Sequence, residues 1–121
     1  MIQVIMHGCN GRMGNMISDL IAKDDAVQIV AGVDPSGAGK WDYPVFADIS
    51  ECNVKADVII DFTNPVAIEN LLNYCVENNM PCVLCTTGLS TELLAKVEEA
   101  SKKVAILKSA NMSLGINLLL N

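Results

Sequence analysis

Along these 121 residues, short apolar runs alternate with helical stripes. The run Ile2-Gln3-Val4-Ile5-Met6 ends at Gly8 and predicts a buried strand. Met13, Met16, Ile17, Leu20 and Ile21 then recur at the spacing of one helical face. A second strand is expected over Val27–Val33, closed by the turn cluster Asp34-Pro35-Ser36-Gly37. Residues 37–56 are the least regular, with at most a short strand near Val45-Phe46 and a short helix around Ile49. The run Asp57-Val58-Ile59-Ile60-Asp61-Phe62 is continuous rather than alternating, as in a strand covered on both faces. Asn64-Pro65 opens the next helix, because Asn suits the N-cap and proline the first helical position. Its apolar face is Ile68, Leu71, Leu72, Cys75 and Val76, and Asn78-Asn79 and Pro81 end it. A strand over residues 82–85, a helix capped by Ser90 and carrying Leu93, Val97 and Ala100, and a strand over residues 104–107 complete the series. Strands that alternate with helices of this length predict a doubly wound α/β fold around a parallel sheet.

Composition narrows the class. Half the residues are hydrophobic and 18% are charged, so the chain is globular, with room for one core in 13.0 kDa. A net charge of -6 argues against a nucleic-acid partner, which needs clustered Lys and Arg. No apolar run reaches the ~18–20 residues of a membrane span, and the amino terminus lacks a basic n-region. A cytoplasmic address is the expectation. The five cysteines are an odd number, and Cys82-Val83-Leu84-Cys85 lies in a strand-like run without further ligands, as His7 is the sole histidine. Buried, reduced, structural thiols are expected and no metal site.

The strongest chemical signal is His7-Gly8-Cys9-Asn10-Gly11-Arg12-Met13-Gly14, with glycines at 8, 11 and 14 between a strand and a helix. Gly8 allows the sharp turn, Gly11 lets the backbone approach a pyrophosphate, and Gly14 lets helix and sheet pack closely. The helix amino terminus adds N–H groups and the positive end of its dipole. Asp34, 20 residues after Gly14, stands where an acid would accept the adenosine ribose hydroxyls. This pairing predicts a Rossmann-type dinucleotide-binding domain. The acid leans towards NADH over NADPH, since it repels a 2′-phosphate, although Arg12 and Lys40 lie within reach of that region. His7 reads as a packed or satisfied residue at the loop base. Three further strand ends carry small polar residues: Asp61 to Pro65, Cys85-Thr86-Thr87-Gly88, and Ser109-Ala110-Asn111-Met112-Ser113. Each can serve as cap and turn or can face a ribose or carboxamide.

In this order, Gly8-x-x-Gly11-Arg12-Met13-Gly14, Ile60-Asp61-Phe62-Thr63-x-Pro65, Thr86-Thr87-Gly88 and Ala110-Asn111-x-Ser113-x-Gly115-x-Asn117 resemble the bacterial dihydrodipicolinate reductase family. The resemblance runs from residue 2 to residue 117. It implies reduction of 4-hydroxy-tetrahydrodipicolinate with NADH or NADPH, in lysine and diaminopimelate biosynthesis. It implies that Gly8, Cys9, Asn10, Gly11, Arg12 and Met13 bind the pyrophosphate and Asp34 the adenosine ribose. Phe62, Cys85, Thr86, Thr87, Ser109, Ala110, Asn111 and Met112 would line the nicotinamide end. Cys85 departs from the glycine usual there, which would tighten that loop.

The family's catalytic segment, a His-His pair followed by Lys and an Asp-Ala-Pro-Ser-Gly-Thr run, has no match here. Residues 1–110 are therefore expected to be the cofactor domain, with 111–121 opening the connection to an absent substrate domain. The expectation is a chain that binds cofactor, holds no catalytic residue and does not turn over substrate alone. The whole enzyme would be a homotetramer. Alternatives are the cofactor domain of an aspartate or homoserine dehydrogenase, an NAD- or CoA-sensing regulatory domain, and a module with no ligand.

Overall fold

The computed structural model describes residues 1–37, 39 and 41–108. Six parallel strands form one sheet: β1 (Ile2–His7), β2 (Val27–Val33), β3 (Val45–Phe46), β4 (Val58–Asp61), β5 (Cys82–Leu84) and β6 (Ile106–Lys108), in the order β3-β2-β1-β4-β5-β6. Among the described residues three α-helices connect them: α1 (Arg12–Ala22), α2 (Ile68–Glu77) and α3 (Thr91–Ser101). This is the doubly wound architecture expected, and its strand order reverses between β1 and β4. The last strand starts two residues later than its apolar run.

The period of two decides the layers. Val4 and Met6 of β1 pack with Ile17 and Ile21 of α1, whereas Ile5 packs with Ile68, Leu71 and Cys75 of α2. Val97 and Ala100 of α3 join that second layer. The central strands are thus covered on both faces, which is why their sequences run apolar without alternation.

Local chemistry sets the boundaries. Asn64 caps as expected, accepting from the Val66 amide at 3.1 Å, but a 3-10 turn (Pro65–Ala67) precedes α2. Asn79, at φ 50°, takes the left-handed conformation that lets the Met80 amide return to the Cys75 carbonyl at 2.8 Å and end α2. Ser90 accepts from the Leu93 amide at 3.2 Å and starts α3.

One expectation about α1 changes. Its buried positions are Gly14, Ile17, Ser18 and Ile21, while Met16 and Leu20 are 46% and 47% exposed. Gly14 and Ser18, rather than the larger Met16 and Leu20, join Ile17 and Ile21 on the buried side, and the glycine loop leaves no room for a side chain at Gly14. All five cysteines are buried with free thiols. The described residues include no helix long and apolar enough to cross a membrane, and no group of three or more His, Cys, Asp or Glu placed to hold a metal.

Candidate dinucleotide site

The chain between β1 and α1 is held by contacts only glycine permits. Gly8 has φ +92°, and a Cβ there would lie 2.2 Å from the Phe62 carbonyl oxygen. At Gly14 a Cβ would lie 2.1 Å from the Gly8 carbonyl oxygen. At Gly11 its nearest neighbour would be 3.5 Å away, so packing within the protein does not demand a glycine. Gly11 caps α1 without any side-chain hydrogen bond. The first turn thus keeps N–H groups for an anion.

Asp34 follows β2 and ties this loop to the next one. Its Oδ2 accepts from the Asn10 amide at 3.1 Å, and its Oδ1 from the Ser36 amide and hydroxyl at 3.0 and 2.8 Å. Asn10 Nδ2 donates to Ser36 Oγ at 2.8 Å and to the Gly37 carbonyl at 2.6 Å. The sequence offered Asp34 as a ligand for ribose. The structure shows that it also anchors the loop.

A cleft of about 680 Å³ opens above these loops, lined among others by Gly8, Gly11, Arg12, Met13, Asp34 and Phe62. This volume lies within the usual range for small-molecule sites. Asn64, from the polar strand end after β4, also lines it, as do Val33, Asp48 and Asn70, which the motifs do not single out. Asp48 caps a 3-10 turn (Ile49–Glu51), and hydrogen bonds from the Ser50 amide and hydroxyl hold its carboxyl below the usual range.

Other expected site residues sit elsewhere. Cys9 is buried, its sulfur so close to Gly32 that an added Cβ there would meet it at 2.7 Å. Its side chain faces the core, leaving only its backbone for a ligand. Cys85 packs in the same apolar layer, and Thr86 is buried with its hydroxyl on Asp61. Thr87 is exposed on the loop that follows. Lys40 and the expected nicotinamide-side residues Ser109, Ala110, Asn111 and Met112 lie outside the described residues, as does the expected connection over residues 111–121.

Beneath the cleft lies an arrangement the sequence reading did not foresee. Asp61, with no exposed surface, accepts from Thr63 Oγ1 at 2.8 Å and Thr86 Oγ1 at 2.5 Å, and sits 2.7 Å from His7 Nδ1. His7 is thus the satisfied residue expected at the loop base. An acid closing a run as apolar as Val58-Ile59-Ile60 was the available signal.

The fold and its glycine loop define a Rossmann-type α/β domain of the dinucleotide-binding class. Residues 2–112 match the family described as dihydrodipicolinate reductase, N-terminus, and the chain belongs to that family. It is 50% identical over its whole length to a 4-hydroxy-tetrahydrodipicolinate reductase of Clostridium novyi, covering 48% of that protein. It is 47% identical to the same-named protein of Caldanaerobacter subterraneus, again over 48% of its length. The chain spans about half the length of the curated relatives it matches. Among solved structures it superposes on a dipicolinate-bound dihydrodipicolinate reductase from Paenisporosarcina, with TM-score 0.79 and 24% identity over 99% of this chain and 51% of the other. The WlbA dehydrogenase from Chromobacterium violaceum, solved with NADH and UDP-GlcNAcA, superposes with TM-score 0.73 and 17% identity over 89% of this chain and 34% of the other. At these identities the superpositions speak for the fold alone.

Proposed function

We propose that this chain is the cofactor half of a 4-hydroxy-tetrahydrodipicolinate reductase and that it binds NADH in preference to NADPH. The observation that carries the reading is the uncapped glycine-loop helix and Asp34 meeting over one cleft, in a chain of this family. Bound there, a reduced nicotinamide would supply the hydride for a cyclic dicarboxylate substrate.

The chain's own residues bind and orient. The amides of Arg12 and Met13 in the first turn of α1 take the pyrophosphate, with the Arg12 guanidinium beside it, while Gly8, Cys9, Asn10 and Gly11 shape the loop beneath it through amides that bond to Val33, Asp34 and Gly8. Asp34 takes the adenosine ribose. Phe62, Thr87 and the backbone around Cys85 and Thr86 face the nicotinamide end, and the family resemblance adds Ser109, Ala110, Asn111 and Met112 as its ligands. Asp34 keeps its carboxylate in place through three donors, so it has little freedom to swing away from a 2′-phosphate. Asp48 on the same cleft adds a second negative charge. Both favour NADH. The proton donor and substrate clamp belong to a second domain, the whole enzyme is a homotetramer, and the free buried thiols fit a cytoplasmic address.

Calorimetric titration with NADH and NADPH at matched salt tests the reading. Tighter binding of NADH is expected, with the gap narrowed by Asp34→Ala. Failure of both cofactors to bind the folded chain overturns it.

A further inference from the structure

Asp61 closes β4 on the last rung of the central strands, paired to His7 of β1 and Leu84 of β5. A carboxylate with no exposed surface is costly unless hydrogen bonds replace its water. The replacements come from three strand ends: His7 at the end of β1, Thr63 just after β4 and Thr86 just after β5. Backbone amides bind the same three segments. The Phe62 amide donates to the His7 carbonyl at 3.0 Å, the Cys85 amide to the Asp61 carbonyl at 3.0 Å, and the Thr63 amide to Thr86 Oγ1 at 2.9 Å.

A core filler would need none of this. The neighbouring rung residues Val33 and Leu84 are apolar and fill the same layer. A carboxylate differs because it only accepts, so every group around it must turn a hydrogen towards it. His7 then carries its proton on Nδ1. Thr86 gives its hydrogen to Asp61 and keeps lone pairs for the Thr63 amide, which aligns the loop after β4 with the loop after β5. Phe62 lines the cleft on the first of these loops, and Thr87 stands exposed on the second. Gly8, the residue after His7, sits where only a missing Cβ lets it approach the Phe62 carbonyl.

We propose that Asp61 is a positioning residue, which acts through Thr86, Thr63 and His7 to set the two loops that receive the nicotinamide end of the dinucleotide. The inference rests on the dinucleotide reading above. It assigns Asp61 and Thr86 an effect on one end of the ligand, because the adenosine end is held by Asp34 and Asn10, which bond to one another and not to this cluster.

The test compares NADH with ADP-ribose, which lacks the nicotinamide, on the wild-type chain and on Thr86→Val and Thr86→Ser. Thr86→Val keeps the shape and removes the hydroxyl, while Thr86→Ser restores it. Thr86→Val is expected to weaken NADH about tenfold, as the loss of a hydrogen bond to a charged group implies, and to leave ADP-ribose within about threefold. Thr86→Ser should return NADH to within about threefold of wild type. Equal weakening of both ligands, including a general loss of fold, overturns the positioning role and leaves the dinucleotide reading standing. An unchanged NADH affinity in Thr86→Val does the same. A wild-type chain that binds neither ligand overturns both.

Discussion

The charge of Asp61 reaches past its hydrogen bonds to the thiol of Cys85. Burial, and after it that charge, push Cys85 up to about 11 from an ordinary value of 9.0. Cys82, hydrogen-bonded to Cys75 and wholly buried, lies well above the same value, and Cys9 is raised by burial and then by Asp34. A raised thiol favours the neutral form in the fold, whereas the unfolded chain ionises near its ordinary value. Stability is therefore full below about pH 9 and declines as pH rises through 9 to 11. Urea midpoints measured across that range should fall. The thiolate is the reactive form, so a disulfide reagent at pH 8 should label the native chain slowly and all five cysteines at once in urea. Rapid native labelling of Cys85 would contradict this account. At this scale Gly8 and Gly14 were legible, since a sharp turn and a close helix approach each select glycine by steric exclusion. The role of Asp61 was not. An acid after an apolar run reads equally as ligand, cap or turn, and its His7 partner lies 54 positions away.

Elements were legible where their boundaries are chemical. Ser90, Asn64 and Asn79 act on amides or carbonyls within a few residues, so residue type alone reveals them. Ser90→Ala should destabilise the chain by about 1 kcal/mol and Ser90→Thr by much less, read from urea unfolding. A result near zero for Ser90→Ala would mean that α3 is held by packing of Val97 and Ala100 alone. The face of α1 was less legible, because hydrophobic periodicity weighs Met16 and Leu20 above Gly14 and Ser18. Contact with Gly8 and Cys9 decides otherwise, and Ser18 is placed opposite Tyr43, its hydroxyl 3.2 Å away. The start of β6 shifted for a related reason. Val104 is apolar and buried, yet its amide closes a turn onto the Ala100 carbonyl at 3.1 Å before pairing with β5 begins.

For the molecule as a whole, the cleft lies where the strand order turns from β1 towards β2 on one side and β4 on the other. Loops leaving these strands diverge there, which leaves a crevice at their carboxyl ends. A ligand bound only by the folded state adds about 2.7 kcal/mol at a hundredfold excess over Kd. NADH at that excess should thus raise the thermal midpoint by several degrees, and NADPH at the same concentration by less. Equal shifts would remove Asp34 as the source of preference.

The sequence by itself determined the alternation of strand and helix, the caps, and the glycine loop with its acid. Each depends on residue period or on steric and hydrogen-bonding rules that operate within a turn or two of chain. Only the tertiary structure decided which strands are neighbours, which side of α1 meets the sheet, and that Cys9, Cys85 and Thr86 turn inward. It also decided that Asp34 meets Asn10 and that Asp61 gathers His7, Thr63 and Thr86. Those outcomes depend on contacts between segments tens of residues apart, where close packing and the need to satisfy a buried carboxylate select one arrangement from many that the local pattern permits.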